Sequence, residues 1–143
     1  MISTFRGQYS FLSNFYPCKI VDKNGAVWPS SEHAYQAMKS NDPQVREFIR
    51  THPLKGLKAA ARRIQIRPDW GQIKISIMTK ILNHKFAIEE LRQLLLSTGT
   101  EELKEGNYWH DNFWGSCTCN QCGDQGQNQL GRILMDIRAN ISE

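Results

Sequence analysis

The sequence lacks the long apolar runs and the leading basic-then-apolar segment that mark membrane and exported proteins. No apolar run approaches the roughly 20 residues that a membrane-spanning helix needs, and residues 1–7 do not resemble a signal peptide. The sequence lacks separated cysteine pairs: three of its four cysteines fall within six residues, which is poor spacing for structural disulfides. We therefore expect reduced thiols, a cytoplasmic location and no membrane partner.

The sequence also lacks internal repeats, low-complexity tracts, linkers and dense runs of lysine. Eighteen basic side chains against 14 acidic ones leave a net charge of +4 and a pI of about 9.0. This excess is too small to indicate a nucleic-acid-binding module, but it favours an anionic ligand such as a phosphate ester or a nucleotide. The 143 residues suit one domain with one core, so we predict a single domain over residues 1–143.

The residue pattern predicts a mainly α (α+β) fold, with several helices and a small N-terminal β-hairpin. Asn24-Gly25 is a strong turn signal between two short apolar segments. Pro29-Ser30-Ser31-Glu32 is typical of a helix start, because a serine can cap the free amides and an early glutamate suits the positive helix end, so a helix is predicted over about 32–40. Further helices are predicted at 43–50, at 54–63, after a cap at Asp69, at 87–96 and at 127–139. Residues 98–126 are predicted to be mostly loop, with a short strand near Leu103.

The apolar residues of three predicted helices are spaced for one buried face each. The residues that this spacing places in the core are Trp70, Ile73, Ile77, Ile81 and Leu82, then Leu91, Leu94 and Leu95, and finally Leu130, Ile133, Leu134 and Ile137.

A first group of candidate functional residues follows the hairpin. On a helix, Glu32, Gln36 and Lys39 share one face, with Tyr35 beside them, whereas His33 points elsewhere and is predicted to be structural. A carboxylate, an amide and an amine on one face form a possible site wall. The alternative is an ordinary solvated helix face with a common ion-pair pattern.

A second group lies near the C-terminus, in residues 107–115 and 126–132. The first segment places three large aromatic residues beside Asp111, which suits a wall that stacks on a base; the alternative is a loop held to the core by its aromatic rings. In the second segment, Asn128, Arg132 and helix-start amides are suited to hold a phosphate. Its spacing is neither a P-loop nor a dinucleotide fingerprint.

The cysteine-rich segment has some features of a zinc site. Zinc usually takes four ligands in separated pairs, and Cys117, Cys119 and Cys122 supply three closely spaced thiols. A fourth ligand would have to come from Cys18, His110 or a remote residue. We favour a cysteine-bearing loop and expect no metal and no cofactor.

Taken in order along the chain, these segments resemble the NADAR (YbiA-like) family, and the match spans essentially the whole sequence. In one departure, Ala61-Arg62 occupies a place where the family often has Gly-Arg. The segments that carry the resemblance are Phe5-Arg6-Gly7, Leu12-Ser13-Asn14-Phe15-Tyr16-Pro17, Trp28-Pro29-Ser30-Ser31-Glu32-His33-Ala34-Tyr35-Gln36-Ala37-Met38-Lys39, Arg67-Pro68-Asp69-Trp70, Lys85-Phe86, Leu94-Leu95-Leu96-Ser97-Thr98-Gly99, His110-Asp111-Asn112-Phe113-Trp114-Gly115 and Gly126-Gln127-Asn128-Gln129-Leu130-Gly131-Arg132.

The resemblance implies a compact, mainly helical domain and an N-glycosidase, which is a hydrolase. It implies two substrate types. One is the ribosylamino-pyrimidine phosphates of riboflavin biosynthesis, and the other is ADP-ribose on the amino group of guanine in nucleic acid, where a toxin–antitoxin link is implied. In both, a ribose anomeric carbon is bonded to an exocyclic amine. The alternative is a non-catalytic module that binds ADP-ribose or nucleotides.

The chemistry of this bond suggests roles for the candidate residues. Glu32 would handle protons or water, and Lys39 would attack an opened sugar as a Schiff-base amine or pair with a phosphate. Asp111 would orient the ribose or stabilise positive charge. Trp114 and either Phe15 or Trp28 would stack on the base. The residues predicted to bind substrate are Arg6, Asn14, Phe15, Trp28, Ser31, Lys58, Arg62, Trp114, Asn128 and Arg132.

Overall fold

The computed structural model describes residues 1–141. The chain divides into two units: the first joins Met1–Ser13 to the chain from Glu89 onward, and the second is the continuous segment Asn14–Ile88. Regular structure in the described residues consists mainly of helices, with a few two-residue strands, which confirms the predicted mainly α (α+β) class. The single domain over residues 1–143 stays a prediction, and its last two residues lie outside the described range.

The second unit opens with the predicted hairpin. Strand β1 (Ile20–Val21) pairs antiparallel with β2 (Val27–Trp28). The connection is longer than a two-residue turn, because the Asp22 carboxylate accepts the backbone N–H groups of Asn24 and Ala26, at 2.9 and 3.0 Å. Gly25 has a φ of 85°, a left-handed conformation that favours glycine.

Four helices complete the second unit: α1 (Ser31–Ala37), α2 (Pro43–Arg50), α3 (Leu57–Ala61) and α4 (Trp70–Lys85). Helix α1 packs against the other three helices and against β2, and all of its residues are buried. A serine cap was predicted, and of the two adjacent serines it is Ser30 that caps this helix, by accepting the His33 N–H at 3.1 Å. The His33 ring lies 2.7 Å from Ser30 Oγ and 2.7 Å from the His52 carbonyl, in accord with a structural role.

Three predicted helix ends in this unit were wrong. Helix α1 stops at Ala37, because the backbone N–H groups of Lys39 and Ser40 bond three residues back and tighten the chain out of the α-helix. Helix α3 begins at Leu57 instead of residue 54. At the start of α4, the Asp69 carboxylate forms no cap and instead pairs with Arg67 at 2.7 Å.

The first unit contains a 3-10 helix (Gly7–Leu12), α5 (Glu89–Ser97), β3 (Gly106–Asn107), β4 (Ser116–Cys117) and α6 (Gln129–Ile141). Strands β3 and β4 pair in parallel and were not predicted, and neither was the 3-10 helix. The strand expected near Leu103 is a single parallel bridge to Ile2.

The predicted core positions are largely buried, but not all of them. All four predicted positions of α6 are buried, as are Leu91 and Leu95 of α5. Leu94 is 40% exposed, because the buried face of this short helix runs through positions 91 and 95. In α4, Ile73 and Ile77 are only half-buried. No helix within residues 1–141 is long and apolar enough to cross a bilayer.

Candidate active site

In the second unit, Glu32 presents a buried carboxylate from the first turn of α1. The residue is 5% exposed, and Gln36, one turn later, donates a hydrogen bond from Nε2 to Glu32 Oε2 at 2.7 Å. Burial of a carboxylate costs free energy unless hydrogen bonds or charges compensate it. The other amide atom, Gln36 Oε1, is buried without a hydrogen-bond partner among the described residues. A buried acceptor of this kind is available to a substrate donor.

Lys39 follows the end of α1, where it was predicted to continue the helix face. Burial lowers the pKa of Lys39, and the charges of Lys74 and Lys58 lower it further, against the charge of Glu32, which raises it. The Lys39 ammonium lies 5.5 Å from the centre of the Tyr35 ring. Lys39 therefore lies against an aromatic ring and within electrostatic range of a carboxylate and two cations, although it is not on the helix.

The segment that precedes the hairpin is tied to the start of α1. The Asn14 carbonyl accepts the Glu32 backbone N–H at 2.9 Å, and Ser31 Oγ donates to the Asn14 side chain at 3.0 Å. Phe15 is 36% exposed, and Lys58 Nζ lies 5.0 Å from its ring centre. The second unit thus brings together six of the predicted residues: Asn14, Phe15, Ser31, Glu32, Lys39 and Lys58.

Two other predicted residues of this unit have different surroundings. Trp28 is 5% exposed, and its indole N–H donates to Asp22 at 3.0 Å within the hairpin. This burial does not support its predicted stacking on a base. Arg62 is exposed at the C-cap of α3, one turn beyond Lys58, so both can approach a phosphate from one helix.

Sequence reasoning missed two lysines of α4. Lys74 is half-buried and acts electrostatically on Lys39. Lys85 is fully buried; burial lowers its pKa to about 8, against the charge of Cys18, and its ammonium lies 5.8 Å from the Tyr16 ring centre. A signal for Lys85 was present, because it follows Ile81 by four residues and therefore lies on the apolar face of the helix.

In the first unit, Asp111 organises its own loop. Its Oδ1 accepts the backbone N–H groups of Phe113 and Trp114 at 3.1 and 3.0 Å. Asn107 holds the same residue through its backbone, with Nδ2 donating to the Asp111 carbonyl at 2.9 Å. Trp114 is half-buried and packs edge-on against Phe113, with ring centres 4.9 Å apart. Asp111 and Trp114 therefore both help to shape the loop.

Asn128, which was predicted to hold a phosphate, is occupied by the protein itself. The residue is buried; its Oδ1 accepts the Glu105 N–H at 3.0 Å and its Nδ2 donates to the Leu103 carbonyl at 2.9 Å. Its φ of 53° is left-handed. This arrangement does not support the phosphate prediction for Asn128. Arg132, one turn later on α6, is exposed.

Arg6 lies over two exposed aromatic rings of the first unit. Its guanidinium carbon is 5.3 Å from the ring centre of Tyr108 and 6.0 Å from that of Trp109. Tyr108 is 64% exposed and Trp109 is 45% exposed. A guanidinium over flat rings is suited to a phosphorylated aromatic ligand; the substrate-binding role of Arg6 stays a prediction.

Among the described residues of the first unit, His110, Cys117, Cys119 and Cys122 form a group that could hold a metal, because their donor atoms all lie within 4.8 Å of one another. A hydrogen bond from the Cys122 backbone and one with Cys117 lower the pKa of Cys119 to about 6. Cys18 belongs to the second unit, where burial raises its pKa.

A buried carboxylate in electrostatic contact with a lysine of lowered pKa, on a mainly α (α+β) chain, is an arrangement typical of enzymes with an acid–base site. The sequence model of the NADAR domain family matches residues 3–142, so the chain belongs to the NADAR domain family. The predicted family resemblance is therefore confirmed.

Similar proteins agree with this assignment. The chain is 41% identical to a riboflavin biosynthesis protein of Vibrio vulnificus over 94% of its own length, but it spans only 36% of that protein. It is 35% identical to the N-glycosidase YbiA of Shigella boydii, over 94% of this chain and 82% of the relative. The NMR structure of YbiA from E. coli superposes with a TM-score of 0.82 at 33% identity, over 99% of this chain and 87% of that one. N-glycosidases are hydrolases, which confirms the predicted enzyme class.

Proposed function

We propose that this protein hydrolyses the bond between a ribose anomeric carbon and an exocyclic amine on a heterocycle. The observation that carries the proposal is the buried Glu32 carboxylate, held by Gln36 and coupled electrostatically to Lys39. As the first substrate we propose a ribosylamino-pyrimidine phosphate, which the name of the Vibrio relative supports. ADP-ribose on guanine, carried by DNA, has the same bond and is the second candidate.

The lowered pKa of Lys39 favours the Schiff-base route over direct attack by water, because a neutral amine is the nucleophile. Protonation of the ring oxygen opens the ribose, and the nitrogen lone pair forms an iminium at C1. The Lys39 amine adds to C1, and the heterocyclic amine leaves with a proton. Water then hydrolyses the Lys39 imine, which releases the aldehyde sugar and restores the lysine. Glu32 is the proposed carrier of these protons.

The cations around Lys39 support binding of a phosphorylated sugar. Lys58 and Lys74 both act on the Lys39 charge, and Arg62 follows Lys58 by one turn. Lysine and arginine side chains grouped in this way favour an anion. Phe15, next to Lys58, offers a half-exposed ring on which a pyrimidine can stack.

The proposed activity is tested by a product assay on two substrates: the ribosylamino-pyrimidine phosphate and an oligonucleotide that carries ADP-ribosylated guanine. We expect release of ribose 5-phosphate from the first. Release of ADP-ribose from the second substrate alone would support the proposed bond type but show that the substrate is ADP-ribosylated guanine. If neither substrate is turned over and ADP-ribose binds tightly, the protein is a binding module and the proposed enzymatic activity is wrong.

The Schiff-base step is tested by borohydride, which reduces an imine to a stable amine. The wild-type protein and the exposed-lysine control Lys23→Ala should both be trapped on the sugar at one lysine per chain. Lys39→Ala should not be trapped. Equally strong trapping of Lys39→Ala would exclude Lys39 as the nucleophile, and turnover without any trapping of the wild type would favour direct attack by water.

A further inference from the structure

Four donor atoms converge from the loop between β3 and β4, from β4 itself and from the turn that follows it. His110 Nδ1 lies 3.7, 3.6 and 3.3 Å from the sulfur atoms of Cys117, Cys119 and Cys122. All four donors lie within 4.8 Å of one another. A tetrahedral zinc ion with Zn–S bonds of about 2.3 Å and a Zn–N bond of about 2.0 Å separates its nitrogen and sulfur ligands by about 3.5 Å. The three observed distances bracket this value.

The local backbone has the shape of a metal-binding turn. Cys119 and Cys122 have the two-residue separation that is common in zinc sites. The Cys122 backbone N–H donates to Cys119 Sγ at 3.4 Å, and the Gly123 N–H donates to the Cys119 carbonyl at 2.9 Å. Gly123 and Asp124, which end the turn, both have left-handed φ angles. These bonds direct the Cys119 sulfur and the Cys122 side chain to the same side of the turn.

His110 and Cys117 reach the same point from outside this turn. Cys117 is in β4, where its N–H donates to the Asn112 side chain at 2.8 Å. His110 has a φ of 69°, a conformation that costs a histidine free energy and that persists only where the surroundings hold it. Coordination of a metal through Nδ1 is an interaction that would hold it. The cysteines are free thiols in the structure, not a disulfide.

We propose that His110, Cys117, Cys119 and Cys122 bind one zinc ion as a closed structural site. Thiolate and imidazole ligands in a tetrahedron select zinc over calcium or magnesium, which prefer oxygen. Four protein ligands leave no position for water, so the ion takes no part in hydrolysis. This proposal departs from the sequence-based expectation of no metal, and it does not rest on the proposed function.

In the first unit, the proposed zinc ion would fix the loop between β3 and β4. His110 directly precedes Asp111, whose carboxylate accepts the Phe113 and Trp114 amides. A metal that ties His110 to β4 would therefore close the loop that carries Asp111 and Trp114. Closure by a metal stabilises the folded state, because the unfolded chain does not offer four preplaced ligands.

The test is the metal content of the protein, expressed without a histidine tag and purified without chelator. We expect about one zinc per chain in the wild type and in Cys18→Ser, which removes the one cysteine outside the cluster. Cys122→Ser and His110→Ala should each retain far less. Zinc at full occupancy in both of these variants would overturn the proposed ligand set.

Because a ligand variant can fail to fold, the wild type also provides an independent readout. Metal-free protein, prepared under reducing conditions, is titrated with Co²⁺. We expect tetrahedral d–d absorption and thiolate-to-cobalt charge transfer that saturate at about one ion per chain and disappear when zinc is added. A wild type that purifies without zinc and gives no such spectrum would overturn the proposal, as would a disulfide among the three cysteines in the protein as purified.

Discussion

The two units use polar side chains in opposite ways. In the second unit, Glu32, Gln36 and Lys39 come from one helix and the turn after it, where backbone hydrogen bonds do not need their side chains. In the first unit, Asp111 and Asn128 lie where regular structure is sparse, and both side chains bond to backbone groups. A polar residue in a loop motif often takes the place of secondary structure. Glu32 is therefore the stronger candidate for a catalytic residue, because its buried carboxylate is on a helix and is not needed to bond backbone groups.

The largest effect should come from Glu32→Gln. The amide keeps the size of the side chain and can still accept the Gln36 hydrogen bond, but it cannot exchange protons. We expect turnover to fall by about 10²–10⁴ while thermal unfolding changes little. The control is Glu90→Gln, an exposed glutamate on α5. Full turnover in Glu32→Gln would contradict the proton-transfer role of Glu32. It would also contradict the proposed difference between the two units.

The next largest effect is expected from Gly131→Ala on α6. A Cβ at this position would lie 2.1 Å from the Leu103 carbonyl oxygen and 2.4 Å from the Asn128 amide nitrogen. We expect a loss of about 3 kcal/mol in the free energy of unfolding, measured by urea denaturation. The matched control is Gly71→Ala on α4, where a Cβ meets nothing within 4 Å. This control should gain about 0.5 kcal/mol, and equal stability of the two variants would contradict the close approach.

Asp111 tests whether a residue can shape a loop and also act on a substrate. Asn at this position can still accept the two backbone N–H groups, whereas Ala cannot. We expect Asp111→Ala to lose about 1–2 kcal/mol of unfolding free energy and Asp111→Asn to lose less than about 0.5 kcal/mol. The predicted catalytic role further requires Asp111→Asn to lose turnover by about tenfold or more. Normal turnover in Asp111→Asn would leave the residue with its loop role alone.

The smallest effect concerns the buried Lys85 and appears as a pH dependence. Its pKa of about 8 lies below the value near 10.4 of an unfolded lysine, so the native state releases its proton first. Stability should therefore rise with pH from 8 upward, by about 1 kcal/mol between pH 8 and pH 9. Lys85→Met should lack this rise, whereas Lys80→Met, at an exposed position of α4, should keep it. An identical pH profile for Lys85→Met would assign the rise to other groups.

Local signals predicted the helices well because the responsible residues are adjacent in sequence. Ser30 caps α1 with a partner three residues away, and the buried positions of α6 repeat at helical spacing. The parallel β3–β4 pair depends on contacts between residues ten apart in a segment without alternating apolar residues. Leu94 was placed on the wrong face because the spacing around Leu91 and Leu95 allows either neighbour to be buried.

The candidate site shows the same limit. Glu32 and Lys39 were predicted from helical spacing, and Lys39 remains close to Glu32 although the helix ends before it. The Asn128 side chain is occupied by Leu103 and Glu105, more than 20 residues earlier, and such a pairing leaves no local pattern. Lys74 was missed because its relation to Lys39 comes from the packing of α4 against α1.

The order of the two units along the chain has a consequence for synthesis on the ribosome. The second unit is continuous, so all of its segments have been made once Ile88 has been added. The first unit is not, because Ile2 pairs with Leu103, which is translated some 100 residues later. At about 5–20 residues per second, the opening segment therefore waits roughly 5–20 s for its partner. During this interval Ile2, Phe5 and Phe11, which are buried in the folded protein, cannot yet pack against the later-translated part of their own unit, so they depend on that part for their burial.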